Sequence, residues 1–278
     1  MQRARPLLGT LVVIRIDADD NADVAFDAAF AQIEAVHRAM SFHEAESQLS
    51  RLNRHAAHAP QTVGPLLWRV LCTSLALARA SGGRFDPTVA GRLVQWQQLP
   101  TPADAPAPDP DATWRDVELL PGRRVQFRKR LWLDFGGIAK GYAVDRAVAA
   151  LRARGVRAGV VNAGGDLRVF GDTQETVHVR DPGDPASSRP LLQLREGAVA
   201  TSSGYFSARG GHTALVDMRS DASLGDGISV SVCAPRAIWA DALTKIVLAD
   251  ADAAVSLLRR LHAQAAILDA SGAMRTLS

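Results

Sequence analysis

The chain is poor in cysteine, in net charge and in uninterrupted apolar sequence, and each shortage removes a class of protein. Two cysteines in 278 residues, Cys72 in a helical apolar pattern and Cys233 in a β-pattern, provide neither a disulfide framework nor a metal-ligand spacing. Both read as small buried fillers. Thirty-two basic against twenty-nine acidic residues leave a net charge of +3. Scattered arginines at that balance form no nucleic-acid stripe, and no RNA- or DNA-binding signature accompanies them. No apolar run reaches the roughly 18 residues of a transmembrane helix. The start, MQRARPLLGT, is basic but lacks an apolar h-region or an Ala-x-Ala site, because Gly9, Thr10 and Arg15 interrupt Leu7 to Ile16. As written the chain reads as cytoplasmic; an incomplete N-terminus would make it periplasmic or membrane-associated.

What is present is a globular composition, 47% hydrophobic, long enough for a sizeable core. Leu7 to Asp17 alternates as a strand. Asp19 to Met40 forms an amphipathic helix with Phe26, Phe30, Ile33 and Met40 on one side. Ser47 is placed to cap a short helix. A buried helix runs from Pro65 to the stop at Gly82-Gly83. The Pro- and Ala-rich stretch 99–112 reads as a loop separating residues 1–98 from residues 113–278, the two parts of one functional unit. Trp114 to Leu120 and Arg124 to Arg130 flank Pro121-Gly122 as a hairpin. Past Gly171 the pattern is β-rich, with strands at Thr176 to Arg180, Leu191 to Arg195, Val199 to Thr201 and Ile228 to Ala234. A helix over Ala251 to His262 and two strands close the chain.

The chain is organised around residues 131–171. A short apolar run ends in Asp134, passes through Gly136-Gly137 and becomes a helix with Ile138, Tyr142, Val148 and Leu151 on its apolar positions, ended by Gly155. A second strand, Gly159 to Val161, enters the turn Asn162-Ala163-Gly164-Gly165-Asp166. Glycines there let backbone N–H groups approach an anion, phosphate above all, although a plain tight turn explains the same letters. The order fails the P-loop, since Lys140 precedes Gly141 with no Gly-Lys-Ser/Thr, and GGIAKG is not a Gly-x-Gly-x-x-Gly fingerprint. Further on, Asp241, Thr244 and Lys245 stand at i, i+3 and i+4, so one helix face presents a carboxylate, a hydroxyl and an ammonium.

Residues 134–145 (DFGGIAKGYAVD) with 161–167 (VNAGGDL) resemble the central signature of the ApbE-type flavin transferases, the FAD:protein FMN transferases. Leu8-Gly9-Thr10, the segment around His43, Gly83 to Val89, Val199 to Phe206, Gly211-His212 and Ala240 to Lys245 extend the resemblance over nearly the whole chain. It implies an α+β fold of mixed, largely antiparallel sheets with packed helices and an FAD cleft between two halves. It implies a flavoprotein transferase that takes FAD as substrate, uses Mg²⁺, joins FMN to a Thr or Ser hydroxyl of an acceptor protein and releases AMP. Protein flavinylation is thus the expected activity; a flavin-storage protein with a weakened metal site and an FAD pyrophosphatase are the alternatives.

The resemblance also implies roles. Leu8, His43, Phe85, Asp86, Asp134, Lys140, Thr201 and Ser202 would bind FAD, with His43 standing where an aromatic lies against the isoalloxazine. Gly137 through its carbonyl, Asp241 and Thr244 would bind the metal. His212 would be the base that takes the acceptor's proton. Lys245 departs from the pattern Ala-Asp-Ala-Leu-x-Thr, which carries Thr at i+4, and its ammonium would oppose a cation in direct contact or take over part of its work.

Overall fold

A computed structural model describes residues 1–17, 22–184, 186–204 and 211–278. In chain order the elements are β1 (Gln2–Leu7), β2 (Thr10–Asp17), α1 (Ala22–Met40), α2 (Gln48–His55), β3 (Gln61–Thr62), α3 (Pro65–Ala80), α4 (Ala90–Gln95), a 3₁₀ turn (Trp114–Asp116), β4 (Val117–Leu120) and β5 (Arg124–Phe127). They continue with α5 (Ala139–Ala153), β6 (Ala158–Ala163), β7 (Asp166–Phe170), β8 (Glu175–Arg180), β9 (Ser188–Leu194), β10 (Gly197–Ser203), β11 (Val216–Asp217), β12 (Ala222–Ser223), β13 (Ile228–Ala234), α6 (Ala237–Ala249), α7 (Ala251–Arg260), β14 (Gln264–Asp269) and β15 (Met274–Leu277). The expected start of the first helix, Asp19, and the end of the Ser/Thr block, Tyr205-Phe206, lie outside the described residues. No helix among the described residues is long and apolar enough to cross a membrane.

The chain divides into two compact units. The first comprises Met1–His37, Gly137–Tyr205 and Gly225–Ser278; the second comprises Arg38–Gly136 and Phe206–Leu224. The first is built on an eight-stranded antiparallel sheet, ordered β1-β2-β6-β7-β10-β13-β14-β15. Alternation explains β2: Val12, Ile14 and Ile16 are fully buried while Leu11 points to solvent. Helices α5 and α6 pack on each other and on this sheet. The β8–β9 hairpin contributes Val177 and Leu194 to a separate cluster with Val160, Leu167, Val169 and Val199. The second unit holds α2, α3 and α4 with the small antiparallel sheet β3-β5-β4 and the β11–β12 pair.

The mixed, largely antiparallel α+β class expected from the sequence is the one observed. Phe26, Phe30, Ile33 and Met40 are buried on α1, and the Ser47 hydroxyl accepts the Ser50 amide at 2.9 Å as the cap of α2.

Two elements differ from expectation. The stretch from Leu7 is not one strand: Leu8 and Gly9, both at positive φ (56° and 71°), form a two-residue hairpin turn between β1 and β2. The paired Arg-rich strand β1 is held over α1, where the Arg3 and Arg5 guanidinium groups lie on the rings of Phe26 and Phe30. The apolar run before Asp134 pairs with no strand among the described residues. A side chain does the work of a neighbouring ladder: buried Asn53 accepts the Leu133 amide at 2.9 Å and donates to the Leu133 carbonyl at 3.0 Å. The Asp134 amide then donates to the Pro87 carbonyl.

Candidate functional site

In the first unit the site is assembled by a close approach of two helices. Gly141, in the first turn of α5, lies so near α6 that a Cβ there would overlap the Ala237 carbonyl and stand 2.8 Å from the Asp241 Cβ. Only a glycine allows that approach. It brings the Asp241 carboxylate to the N-terminus of α5, where Oδ2 accepts the Gly141 amide at 3.0 Å at the positive end of the helix dipole. The start of α6 is fixed from the same helix. Asp145 accepts the Ala237 and Ile238 amides, both at 3.1 Å, and pairs with Arg168 at 2.6 Å. A buried acid on α5 thereby caps α6, which has no cap of its own.

Around Asp241 four charges meet. Its Oδ1 accepts a hydrogen bond from the Lys245 ammonium, one helical turn on, and the same ammonium donates to the Asp241 carbonyl at 3.1 Å. Lys140 pairs with Asp166 at 2.5 Å. Asp166 follows the turn Gly164-Gly165, whose positive φ values close the β6–β7 hairpin, and Asn162 Oδ1 accepts the Gly165 amide at 2.9 Å. The pairs act on each other. Burial favours the neutral form of Asp241, but Lys140, Lys245 and the Gly141 amide outweigh it and hold its carboxyl below the ordinary value. Burial raises the Asp166 carboxyl, and the charge of Asp241 raises it further against both lysines. Burial works against the charge on Lys140, but Asp166 and Asp241 overcome it and raise its affinity for the proton.

The expected ligands Gly137, Asp241 and Thr244 all lie in this unit. The Lys245 stem passes so close to Gly137 that a Cβ there would stand 3.3 Å from its Cε. The Thr244 hydroxyl donates to the Asp241 carbonyl at 2.7 Å. Its single proton is therefore engaged, so in the 2.7 Å contact with Ser202 the serine is the donor. Thr201 bonds to Ser231 at 2.8 Å instead. Leu8 stands in the β1–β2 turn in a left-handed conformation, uncommon for leucine.

A magnesium ion does not fit these donors as arranged. It requires about six oxygens at near-octahedral geometry, several of them waters. One Asp241 oxygen holds an ammonium and the other an amide, Asp241 and Thr244 are fully buried, and the Thr244 hydroxyl is engaged. Among the described residues no group of three or more His, Cys, Asp or Glu is placed to hold a metal.

The second unit carries the remaining expected residues. Asp86 accepts the amide and hydroxyl of Thr88 at 2.8 and 2.6 Å, closing the Asp-Pro-Thr turn. Burial pushes its carboxyl above the ordinary range, the Thr88 bonds opposing. Asp134 accepts the Gly136 amide at 2.9 Å; burial raises its carboxyl, with Gly136 and the nearby His43 opposing. His43 itself is exposed. The Phe85 side chain is in the core and its amide donates to the Ser81 hydroxyl at 3.1 Å, so neither is offered to a ligand. His212 stacks on Trp96, with centroids 4.3 Å apart and planes within 7°. Its carbonyl accepts from Gln98 at 2.9 Å, and its Nδ1 has no hydrogen-bond partner among the described residues. Asp217, downstream of His212, is engaged by Arg219 at 2.7 Å.

Sequence reasoning singled out Lys140 and Asp241 but gave no role to Asp166, Asp145, Asn53 or Trp96. Asp166 and Asp145 lie inside the two quoted signature blocks, and that position was the available signal. Their partners stand 26 and 23 residues away along the chain, beyond any local period.

The sequence model of the ApbE family matches residues 8–268. The FAD:protein FMN transferase of Treponema pallidum is 30% identical over 87% of this chain and 76% of its own length. That of Rhodobacter capsulatus is 32% identical over 71% of this chain and 41% of its own length. Among solved structures, the ApbE protein of Thermotoga maritima superposes with a TM-score of 0.86 at 25% identity, covering 100% of this chain and 97% of its own.

Proposed function

The chain belongs to the ApbE family, and on that premise we propose that it transfers the FMN moiety of FAD to a Thr or Ser hydroxyl of an acceptor protein, releasing AMP. The acceptor oxygen attacks the FMN phosphorus in line and forms the new P–O bond. The bridging P–O bond of the diphosphate breaks, and AMP departs with the bridging oxygen. The hydroxyl proton goes to His212, whose ring is steadied by Trp96. Lys140 binds the diphosphate, Ser202 and Thr201 serve the phosphate oxygens, and His43, Asp86 and Asp134 take the rest of FAD.

The observation that carries this reading is the quartet Lys140, Asp166, Asp241 and Lys245, in which two ammonium groups are fixed by two buried carboxylates beside the Gly137 turn. Magnesium, expected at Gly137, Asp241 and Thr244, enters no step here, because the carboxylate expected to bind that ion holds the ammonium of Lys245. The same feature favours flavin storage as the second reading. One assay separates the two: the protein is mixed with FAD and a candidate acceptor, and acceptor mass and AMP are followed. Transfer gives an acceptor heavier by FMN and an equal amount of AMP. Bound FAD without AMP supports storage, and free FMN with AMP and an unlabelled acceptor supports hydrolysis; either result removes the transferase reading.

A further inference from the structure

The two ion pairs of the first unit have the same orientation. The Asp241 and Asp166 side chains are 0% and 3% exposed, whereas those of Lys245 and Lys140 are 18% and 32% exposed. The carboxylates are behind and the ammonium groups in front, so the accessible face of a neutral quartet is cationic. An ammonium has three N–H donors. Lys245 uses two, both on Asp241, and Lys140 is bonded to Asp166, so each retains a donor for an incoming oxygen. Both are held in place, Lys245 by its stem against Gly137 and Lys140 by a carboxylate on the β6–β7 hairpin. Both Asp241 oxygens, meanwhile, already accept a hydrogen bond, and the donor on Oδ1 is an ammonium that would repel a cation beside it.

We propose that Lys245 is a covalently tethered cation that binds the FAD diphosphate together with Lys140, in place of a divalent ion held by Asp241. The identity of the ligand as FAD rests on the function proposed above; the metal-free character of the site rests on the ion pairs alone. A fixed ammonium offers a charge-assisted hydrogen bond to a phosphate oxygen and requires no dehydration of a metal. Binding should therefore persist when divalent ions are removed.

The test is a titration of the purified protein with FAD, followed by flavin fluorescence, first in EDTA and then in excess MgCl₂, with FMN as the ligand lacking a diphosphate. The wild type is expected to bind FAD equally under both conditions. Lys245→Met should weaken FAD about 10- to 100-fold, the factor for one lost charge-assisted hydrogen bond, and leave FMN nearly unchanged. Lys245→Thr should make FAD binding dependent on Mg²⁺. Because Lys245→Met leaves a buried carboxylate unpaired, Asp241→Asn/Lys245→Met serves as its partner: it removes both charges, keeps an acceptor for Gly141, and should show the same loss of FAD at near wild-type melting temperature. Wild-type binding that collapses in EDTA, or a double variant that binds FAD as the wild type does, overturns the proposal. Metal-independent, Lys245-dependent FAD binding with no labelled acceptor would keep it while removing the transferase reading, and chelator-sensitive transfer would do the reverse.

Discussion

Asp166 and Asp241 in the first unit, and Asp86 and Asp134 in the second, are four largely sequestered acids satisfied in two different ways. The first pair is answered by lysines brought from other elements or another turn of the helix. The second pair is answered by amides and a hydroxyl from two residues further along the same loop. The charges of the first unit therefore depend on tertiary packing, whereas the loop acids of the second carry their partners with them. A disturbance of packing should break the former and spare the latter.

The largest expected effect comes from Gly141→Ala. Its methyl group would meet the Ala237 backbone and separate α5 from α6, costing about 3 kcal/mol, the upper end of the overpacking range. Urea denaturation would register the loss, and transfer should disappear with it. Asn53→Ala should cost about 2 to 3 kcal/mol, because it leaves the Leu133 amide and carbonyl buried without their partner. A cost near zero would show that the extended segment before Asp134 has support other than this clamp.

Asp241→Ala should cost about 2 kcal/mol, less than a fully buried pair would, since the partly exposed Lys245 ammonium it leaves behind can turn to solvent. The protein should remain folded by circular dichroism while acceptor labelling stops; undiminished labelling would take Asp241 out of the site. Asp86→Asn should be smallest, within about 0.5 kcal/mol at neutral pH, because the amide oxygen still accepts from Thr88. Its signature is in pH. The folded-state value of Asp86 is raised, so the wild type loses stability as pH rises from the ordinary 3.8 through that higher value. The variant should lack that decline, and a matching decline in both proteins would assign it to another group.

Much of this was legible in the sequence. Strand alternation and the apolar stripes of α1 and α5 marked individual elements, the resemblance to the ApbE-type transferases implied the α+β class, and the spacing of Asp241, Thr244 and Lys245 placed three polar groups on one face of α6. Local periodicity could not supply what depends on contacts distant in sequence. The basic start carries no local sign that Arg3 and Arg5 lie on the rings of α1. The run before Asp134 looks like a strand because an asparagine 80 residues upstream of Leu133 substitutes for a ladder partner. The Lys140–Asp166 pair joins a helix to a hairpin, and its existence follows from the fold rather than from either motif.

The most direct test of the central claim, that paired lysines rather than a metal face the diphosphate, is a crystal structure of the FAD complex grown with MnCl₂ and measured for anomalous scattering. The account predicts the Lys140 and Lys245 Nζ atoms about 3 Å from diphosphate oxygens, with Lys245 still on Asp241 and no manganese there. A manganese peak bonded to Asp241, with the Lys245 ammonium displaced, would contradict it.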